Sequence, residues 1–314
     1  MKLYKGDCLI ENDKIESGSV DLILTDLPYG TVKGMGGDME KYKRLSNSNW
    51  DNVIDTNKLF KIADRILREN GKMVLTANQP FTTELISHQT SNLSHNYNMY
   101  WDKMHFANCL IANKAPVSYI EDVLIFSKNF DNFKTNPLRS YTKLLRDNCN
   151  YSRQKWRHLF GHYRFQHFME LQQQYTLCNE STYVEITNQF NLNSFDWFLE
   201  YSELVKMNGR YESVFNLWEG RKYKSNILKY KKDYDGHHPT QKPVLLLEDL
   251  IKTFSNENDL VVDFTMGSGS TGVACKNTNR NFIGIELDDK YFEIAQKRIN
   301  APPPTNNTLN KFFK

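Results

Sequence analysis

The sequence predicts a doubly wound α/β sheet interrupted by a mainly helical insertion. Strand and helix signals alternate at both ends of the chain, the pattern of a parallel sheet with crossover helices. Two sharp turns, one rich in glycine and one holding a proline, follow directly on strand-like runs, where such sheets carry their ligand loops. Between them, from roughly Asn129 to Arg221, the alternation stops and Asn, Gln, Tyr and Phe accumulate. A chain of 314 residues with 39% hydrophobic side chains has apolar material for one such domain and a sizeable insertion.

Val20 to Thr25 (VDLILT) is a nearly continuous apolar run, as expected of a strand buried on both faces. Leu59, Ile62, Ala63, Ile66 and Leu67 have helical spacing within Leu59 to Arg68. Asn70-Gly71 reads as the end of that helix and Lys72 to Ala77 as the next strand. Tyr97 to Lys103 and Glu121 to Lys128 read as a later antiparallel pair. After the insertion come a helix over Val244 to Phe254, a strand over Leu260 to Phe264, a helix opening at Thr271, a strand over Asn281 to Glu286 and a helix over Lys290 to Ile299. Pro302-Pro303-Pro304 then ends regular structure. Lys2 to Tyr4 is suited to add a strand beside the last one, so that the termini meet in one sheet. Within the insertion, Trp156, Phe160, Tyr163, His167 and Leu171 fall on one helical face.

The net charge of +3 excludes a histone-like basic protein but leaves room for local nucleic-acid patches. No stretch approaches the length of a membrane span, and the first residues hold no apolar run of signal-peptide length, so a cytoplasmic protein without membrane contact is expected. Cys8, Cys109, Cys149, Cys178 and Cys275 include no C-x-x-C pair and are expected to be reduced. His158 and His162 have i, i+4 spacing near Cys149 and Cys178, but the cysteines lack paired ligand spacing, so no metal is expected. His237 reads as a loop residue.

The first chemical motif is Asp263 to Gly272 (DFTMGSGSTG), between a strand and a helix. Its glycines let the backbone turn sharply and approach a ligand, and Glu286 ends the next strand, where a carboxylate can accept ribose hydroxyl hydrogens. Gly267, Gly269 and Gly272 equally match G-x-G-x-x-G, so this loop alone fits NAD as well. The second motif, Asp26-Leu27-Pro28-Tyr29-Gly30, directly follows VDLILT. The amino group of a nucleobase is a poor nucleophile, because its lone pair is delocalised into the ring. Two acceptors for its hydrogens, the Asp26 carboxylate and the Leu27 carbonyl, favour the pyramidal nitrogen that attacks. Pro28 stiffens the turn and Tyr29 offers a flat face for a base. The third motif, His238-Pro239-Thr240-Gln241-Lys242-Pro243, enters the Val244 helix. Lysine is unfavourable at a helix N-terminus, which points Lys242 toward an anionic group such as a carboxylate.

Together these segments resemble the amino-methyltransferases of bacterial and phage DNA modification, in the permuted subclass whose catalytic motif precedes the cofactor motif. GDCL, SVDLILTDLPYG, YWDK, EDVLIFSK, HPTQKPVLLLEDLI, DFTMGSGSTGVAC and RNFIGIELDDKYFEIAQKRI carry the likeness over roughly two-thirds of the chain. The resemblance implies a seven-stranded, mostly parallel Rossmann-like sheet, S-adenosylmethionine (SAM) as donor, and a DNA base flipped out of the duplex. Asp26, Leu27, Pro28 and Tyr29 fall on the family's catalytic motif, Asp263, Phe264, Gly267, Gly269 and Thr271 on its SAM loop, and Glu286 on its ribose-binding acid. Asp7 and Cys8 fall where the family contacts the cofactor's adenine; Thr240, Lys242, Ser268 and Leu287 complete the expected cofactor set. Leu27 stands where a first proline is usual and Met266 replaces a residue that is often proline. N4-cytosine members usually have Ser at the position of Asp26, so N6 of adenine is the expected target. A homodimer and a cognate restriction endonuclease are compatible partners.

Arg139 to Arg164 carries seven basic residues against one acid, Asp147, with Tyr151, Trp156, Tyr163 and Phe165 interleaved; Lys206 to Lys232 adds eight against Glu212 and Glu219. Arg153, Lys155, Arg157, Lys222 and Lys224 are therefore the expected DNA contacts. The expected division is a catalytic half over 1–128, a target-recognition insertion over 129–221 and a SAM-binding half over 222–314. The rival readings are an N4-cytosine enzyme, an RNA methyltransferase, an inactive nucleic-acid-binding module and an NAD-dependent oxidoreductase. The last leaves D-L-P-Y and the basic insertion unexplained.

Overall fold

The computed structural model describes residues 1–29, 54–88, 90–107, 112–128, 137–172, 175–209, 211, 213–218, 220, 222–233 and 240–302. Gly30, Cys109, Asn129, Glu212, Glu219, Arg221, His237, His238, Pro239, Pro303 and Pro304, all named above, lie outside them. The described residues form two compact units, one from 1–128 and 214–314, the other from 129–213. The second unit thus ends before Arg221. Asn216 already belongs to the first, where its side-chain amide donates to the carbonyls of Lys252 and Ser255, both at 3.1 Å.

The first unit is built on one eight-stranded sheet: β1 (Lys2–Lys5), β2 (Val20–Thr25), β3 (Leu67–Ala77), β4 (Leu93–Ala107), β5 (Ser118–Lys128), β6 (Ile227–Lys229), β7 (Leu260–Asp263) and β8 (Asn281–Glu286), in the order β1-β8-β7-β2-β3-β5-β4-β6. Only β5 runs against its neighbours; every other pairing is parallel. The expected seven strands are present, and the three-residue β6 is an eighth, added to the edge beside Tyr100 to Asp102. β1 pairs with β8, so the two ends of the sequence share one sheet.

The sheet is covered on both faces because its strands alternate two apolar sets. Ile23, Met73, Leu75, Leu124, Phe126, Val262 and Ile285 pack on one side with the helix Thr56–Ile66 and its Leu59, Phe60, Ala63 and Ile66. Leu22, Leu24, Val74, Val123, Ile125, Val261 and Phe282 pack on the other with the helices Val244–Phe254, Ser270–Asn277 and Asp289–Asn300. Asp55 caps the first helix by accepting from the Lys58 amide at 3.1 Å, and Asp288 caps the last by accepting from Tyr291 at 3.0 Å. Each such cap contributes about 1 kcal/mol.

Two local expectations fail. Asn70-Gly71 does not close a helix: that helix ends at Ile66 and β3 starts at Leu67. Asn70, at φ 59°, lies inside the strand, where the register against β2 jumps from Leu67 opposite Val20 to Lys72 opposite Leu22. The turn-forming pair makes a bulge, which it can do because Asn tolerates a left-handed backbone. Trp156 to Leu171 is likewise no single helix. Gly161, at φ 72°, ends Arg153–Phe160, and a separate short helix covers Gln166–Met169. The second unit is helical and keeps a core of its own around Leu138, Trp156, Phe165, Phe168, Tyr183 and Leu204. No described helix is long and apolar enough to cross a membrane.

Candidate active site

β2 and β7 are neighbours at the point where the winding of the sheet reverses: the chain leaves β2 toward β3, and β7 toward β8. A crevice opens outside the carboxyl ends of strands at such a point. There a cavity of about 740 Å³ is lined by Asp26 to Tyr29 after β2, Asp263 to Ser268 with Ser270 and Thr271 after β7, and Glu286 to Asp289 after β8. Asp7, Cys8, Thr240, Gln241 and Lys242 also line it. Sequence positions far apart thus meet because parallel strands bring all their carboxyl ends to one edge.

The two strand ends are tied to each other directly. Thr25 Oγ1 donates to Asp263 Oδ1 at 2.8 Å, and Thr265 Oγ1 donates to the Asp26 carbonyl at 2.9 Å. Asp263 also accepts from Thr271 Oγ1 at 2.6 Å and from the Thr265 amide at 3.1 Å. Burial pushes its carboxyl up to about 6, against the downward pull of these donors. Gly267 and Gly269 take φ of 50° and 83°, a turn that a side chain would strain. Glu286 anchors the loop from the next strand: Oε2 accepts from the Gly267 amide and Oε1 from the Asp288 amide, both at 2.8 Å. Phe264 is buried beneath the loop, Ser268 Oγ donates to Gln241 at 3.1 Å, and Leu287 is largely exposed on the rim. Asp7 caps the short helix Cys8–Glu11 by accepting from Leu9 at 2.8 Å, and the buried Cys8 thiol is pushed up to about 12 by burial.

Asp26 is held from several sides. Thr76 Oγ1 donates to its Oδ1 at 2.5 Å, with the Tyr29 hydroxyl 2.9 Å from the same oxygen. Lys242 Nζ sits 2.5 Å from Oδ2. The carboxylate sought for Lys242 is therefore that of Asp26, together with Glu121, whose Oε1 is 2.9 Å from the same ammonium. Lys103 Nζ lies 3.5 Å from Glu121 Oε2. Burial alone would raise the Glu121 carboxyl, but Lys242 and Lys103 outweigh it and hold it below its ordinary value. Burial works against the Lys242 ammonium too, yet Asp26 and Glu121 hold it above its ordinary value. Tyr29 is kept a neutral phenol by burial and by the two carboxylates, and its ring packs 5.5 Å from that of Phe81. Leu27 buries its side chain in the core, an anchor that supplies some of the stiffness a proline would give.

Glu121, Lys103, Thr76 and Arg298 stand at the site although the sequence marks Glu121 and Lys103 only as strand ends and gives Thr76 and Arg298 no role. Arg298 Nη1 donates to the Ser268 carbonyl at 2.8 Å and to its hydroxyl at 2.9 Å, pinning the glycine loop from the last helix. EDVLIFSK and YWDK were visible as strands, and an acid opening a buried strand was the one available signal for Glu121.

Several expected DNA contacts are otherwise engaged. Lys224 is not free to meet a phosphate: it pairs with buried Asp249, which also accepts from Trp218 at 3.0 Å and Tyr230 at 2.9 Å. Asp249 would be an uncompensated buried charge without donors, and Lys224 lies within reach on the returning chain. Arg153 is half-exposed and paired with Glu170, Nη2 to Oε2 at 2.7 Å. Arg157 lies over the Tyr163 ring at 4.9 Å and Lys222 over Tyr223 at 5.4 Å; Lys155 is exposed. Arg139 is buried and donates to the carbonyls of Leu171 and Gln172. Cys149 and Cys178 are buried, and His162 lies 2.9 Å from Glu185. No group of His, Cys, Asp or Glu able to hold a metal occurs among the described residues.

The family model for DNA methylases of the N6 and N4 type matches residues 20–297. The DNA adenine methyltransferase YhdJ of Escherichia coli (strain K12) is 25% identical over 306 residues, 95% of this chain and 82% of that protein. Other curated relatives, 39% to 40% identical, match over 98 to 105 residues, and there the chain spans 35% to 46% of their length. The crystal structure of the M1.HpyAVI-SAM complex superposes with a TM-score of 0.51 at 21% identity, over 95% of this chain and 99% of that one. The cytosine-N4-specific PvuII DNA methyltransferase does so at 0.53 and 12%, over 98% and 89%. At these identities the structural likeness speaks for the fold, while the family match covers most of the sequence. The chain belongs to the DNA methylase family of N6 and N4 amino-methyltransferases.

Proposed function

We propose that the protein transfers a methyl group from SAM to the exocyclic N6 amine of an adenine flipped out of DNA. The observation that carries this reading is the meeting of Asp26, Gly267, Ser268 and Glu286 around one cavity. That cavity suits SAM in three respects. Its size is that of a small-molecule site. Its glycine loop leaves open space where a side chain at Gly267 would stand. Its wall carries eight carboxylates against three lysines, which favours a cationic donor over the anionic pyrophosphate of NAD. M1.HpyAVI was crystallised as a SAM complex. Glu286, with one lone pair of each oxygen on a backbone amide, retains acceptor capacity for ribose hydroxyls.

When bound, SAM supplies a methyl group on a sulfonium, whose carbon–sulfur bond breaks with its electron pair going to sulfur as the amine's lone pair forms the new bond. The chain's residues prepare that amine. Asp26 and the Leu27 carbonyl take its hydrogens and draw the lone pair out of the ring. Thr76 and Tyr29 fix the Asp26 carboxylate through one oxygen, and Lys242 holds the other until the amine arrives. The surplus proton on the methylated nitrogen passes to an Asp26 oxygen.

Adenine is favoured because Asp26 stands where N4-cytosine members of the family usually have Ser, and YhdJ bears an adenine methyltransferase name. PvuII, named for cytosine N4, keeps the second reading in view. DNA incubated with the protein and SAM, then digested, is expected to yield N6-methyladenine by mass spectrometry; methylcytosine alone would reverse the assignment.

The unit at 129–213 is assigned to reading DNA, since the recognisable chemical motifs lie outside it. Replacing Arg153, Lys155 and Arg157 with Ala is expected to weaken DNA binding and flatten its salt dependence, because fewer counterions are released. Arg153 spends its charge on Glu170, so Lys155 and Arg157 should carry most of the change. DNA affinity measured across salt concentrations, beside SAM affinity, checks this. An unaltered salt slope with lost SAM binding would make the unit a support for the catalytic sheet instead.

A further inference from the structure

We propose that Glu121 is a positioning residue of methyl transfer, holding Lys242 and Tyr29 against Asp26 and balancing the Lys242 charge beside the reacting amine. The inference rests on the function proposed above. Glu121 lies in the first half of β5, the strand that runs against the rest, so the amino end of that strand sits at the edge where β2 and β3 end and brings Glu121 to the same crevice as Asp26. It is only 6% exposed, and its Oε1 is shared by Lys242 at 2.9 Å and the Tyr29 hydroxyl at 3.2 Å. Both of these groups also touch Asp26, so Glu121 and Asp26 form the two ends of one clamp.

The clamp addresses an electrostatic conflict. The amine nitrogen gains positive charge as the new bond forms, and the Lys242 ammonium is bonded to the carboxylate meant to receive that amine's hydrogens. Asp26 and Lys242 alone cancel to zero, while Lys103 and Lys232 face the same region and add positive charge. Glu121 offsets one of these two charges and offers Lys242 a second acceptor, so the ammonium can swing from Asp26 when the amine arrives without losing a buried partner. Without Glu121 the amine must become cationic beside an uncompensated excess of ammonium groups, in a partly desolvated site where such repulsion is strong. The cost falls on the transition state and not on the binding of SAM, whose loop and ribose acid are several residues away on β7 and β8.

Steady-state methylation of duplex DNA by the full chain, with Glu121→Gln and Glu121→Asp as variants, tests this. Glu121→Gln keeps the shape and is expected to lower kcat by ~10²-fold, the scale of a lost preorganised polar group, with KM for SAM nearly unchanged. Its kcat is also expected to climb toward alkaline pH more steeply than the wild type's. With Glu121 gone, Lys242 loses one of its two carboxylates, and Lys103 and Lys232, already pushed down by burial, lose a facing charge. Asp26 and Tyr29 still face Lys242, so the climb belongs to the alkaline end. Glu121→Asp restores the charge and is expected to recover much of kcat and the flatter profile. A Glu121→Gln enzyme with wild-type kcat, or one whose loss of kcat leaves the pH profile unchanged and is not recovered by Asp, overturns the proposal alone. A wild-type chain that methylates no DNA overturns the functional reading and this proposal with it.

Discussion

Asp26→Ala is expected to abolish most turnover while leaving SAM binding close to normal. The variant removes the acceptor for the amine's hydrogens and the receiver of its proton. It also releases Lys242 Nζ, which sits 2.5 Å from Oδ2, and leaves that ammonium to Glu121 beside the incoming amine. Losing one preorganised polar group costs ~10²-fold or more, and here a repulsive cation is left in its place, so the upper part of that range or beyond is expected. The SAM loop should hold its shape, because Asp263, Glu286 and Arg298 support it without the Asp26 side chain. Single-turnover methylation with calorimetric SAM titration separates the two effects. A variant that methylates at nearly the wild-type rate would falsify the role given to Asp26.

Substitutions in the glycine loop are expected to do the reverse, ending SAM binding first. Gly269 has φ 83°, and a Cβ there would lie 2.9 Å from the Cα of Ala295 in the last helix. The left-handed backbone alone costs a side chain about 1–2 kcal/mol, and the obstruction is main chain that cannot swing aside. Gly269→Arg is therefore expected to lose measurable SAM affinity and some stability as well. Gly267→Ala separates these outcomes: at φ 50° it bears the same backbone strain, but no atom lies within 4 Å of the added carbon. It should fold, yet weaken SAM binding by about tenfold, the equivalent of 1.4 kcal/mol, by filling space that a ligand would approach. If both variants bind SAM as the wild type does, the loop is not the cofactor site.

The loops themselves were legible because each is local. D-L-P-Y and G-S-G each sit within a few residues of a strand end, and the boundaries of VDLILT and of Val244–Phe254 follow from short-range apolar patterning. Asn70-Gly71 misled for the opposite reason. A turn-forming pair specifies a backbone conformation, but whether that conformation ends a helix or bulges a strand depends on what pairs with it, here Val20 and Leu22 of β2. The charged residues divided in the same way. Lys224 read as a phosphate contact but pairs with buried Asp249, and the Lys242 ammonium lies on Asp26 and Glu121 in the wall of the cavity.

The sequence by itself therefore determined the fold class, the order of the two chemical motifs and the place of β1 beside β8 in one sheet. All of these are written in periodicity, strand-end turns and spacing. Only the tertiary structure decided which charges stand together. Glu121 is 95 residues from Asp26 in sequence, and Lys242 another 121 beyond Glu121, yet all three meet within hydrogen-bonding distance of one ammonium. An ion pair is set by distance in space and by the burial that removes competing water. Neither is encoded in the neighbourhood of a single residue; both appear only when parallel strands bring their carboxyl ends to one edge and the antiparallel β5 starts at that same edge.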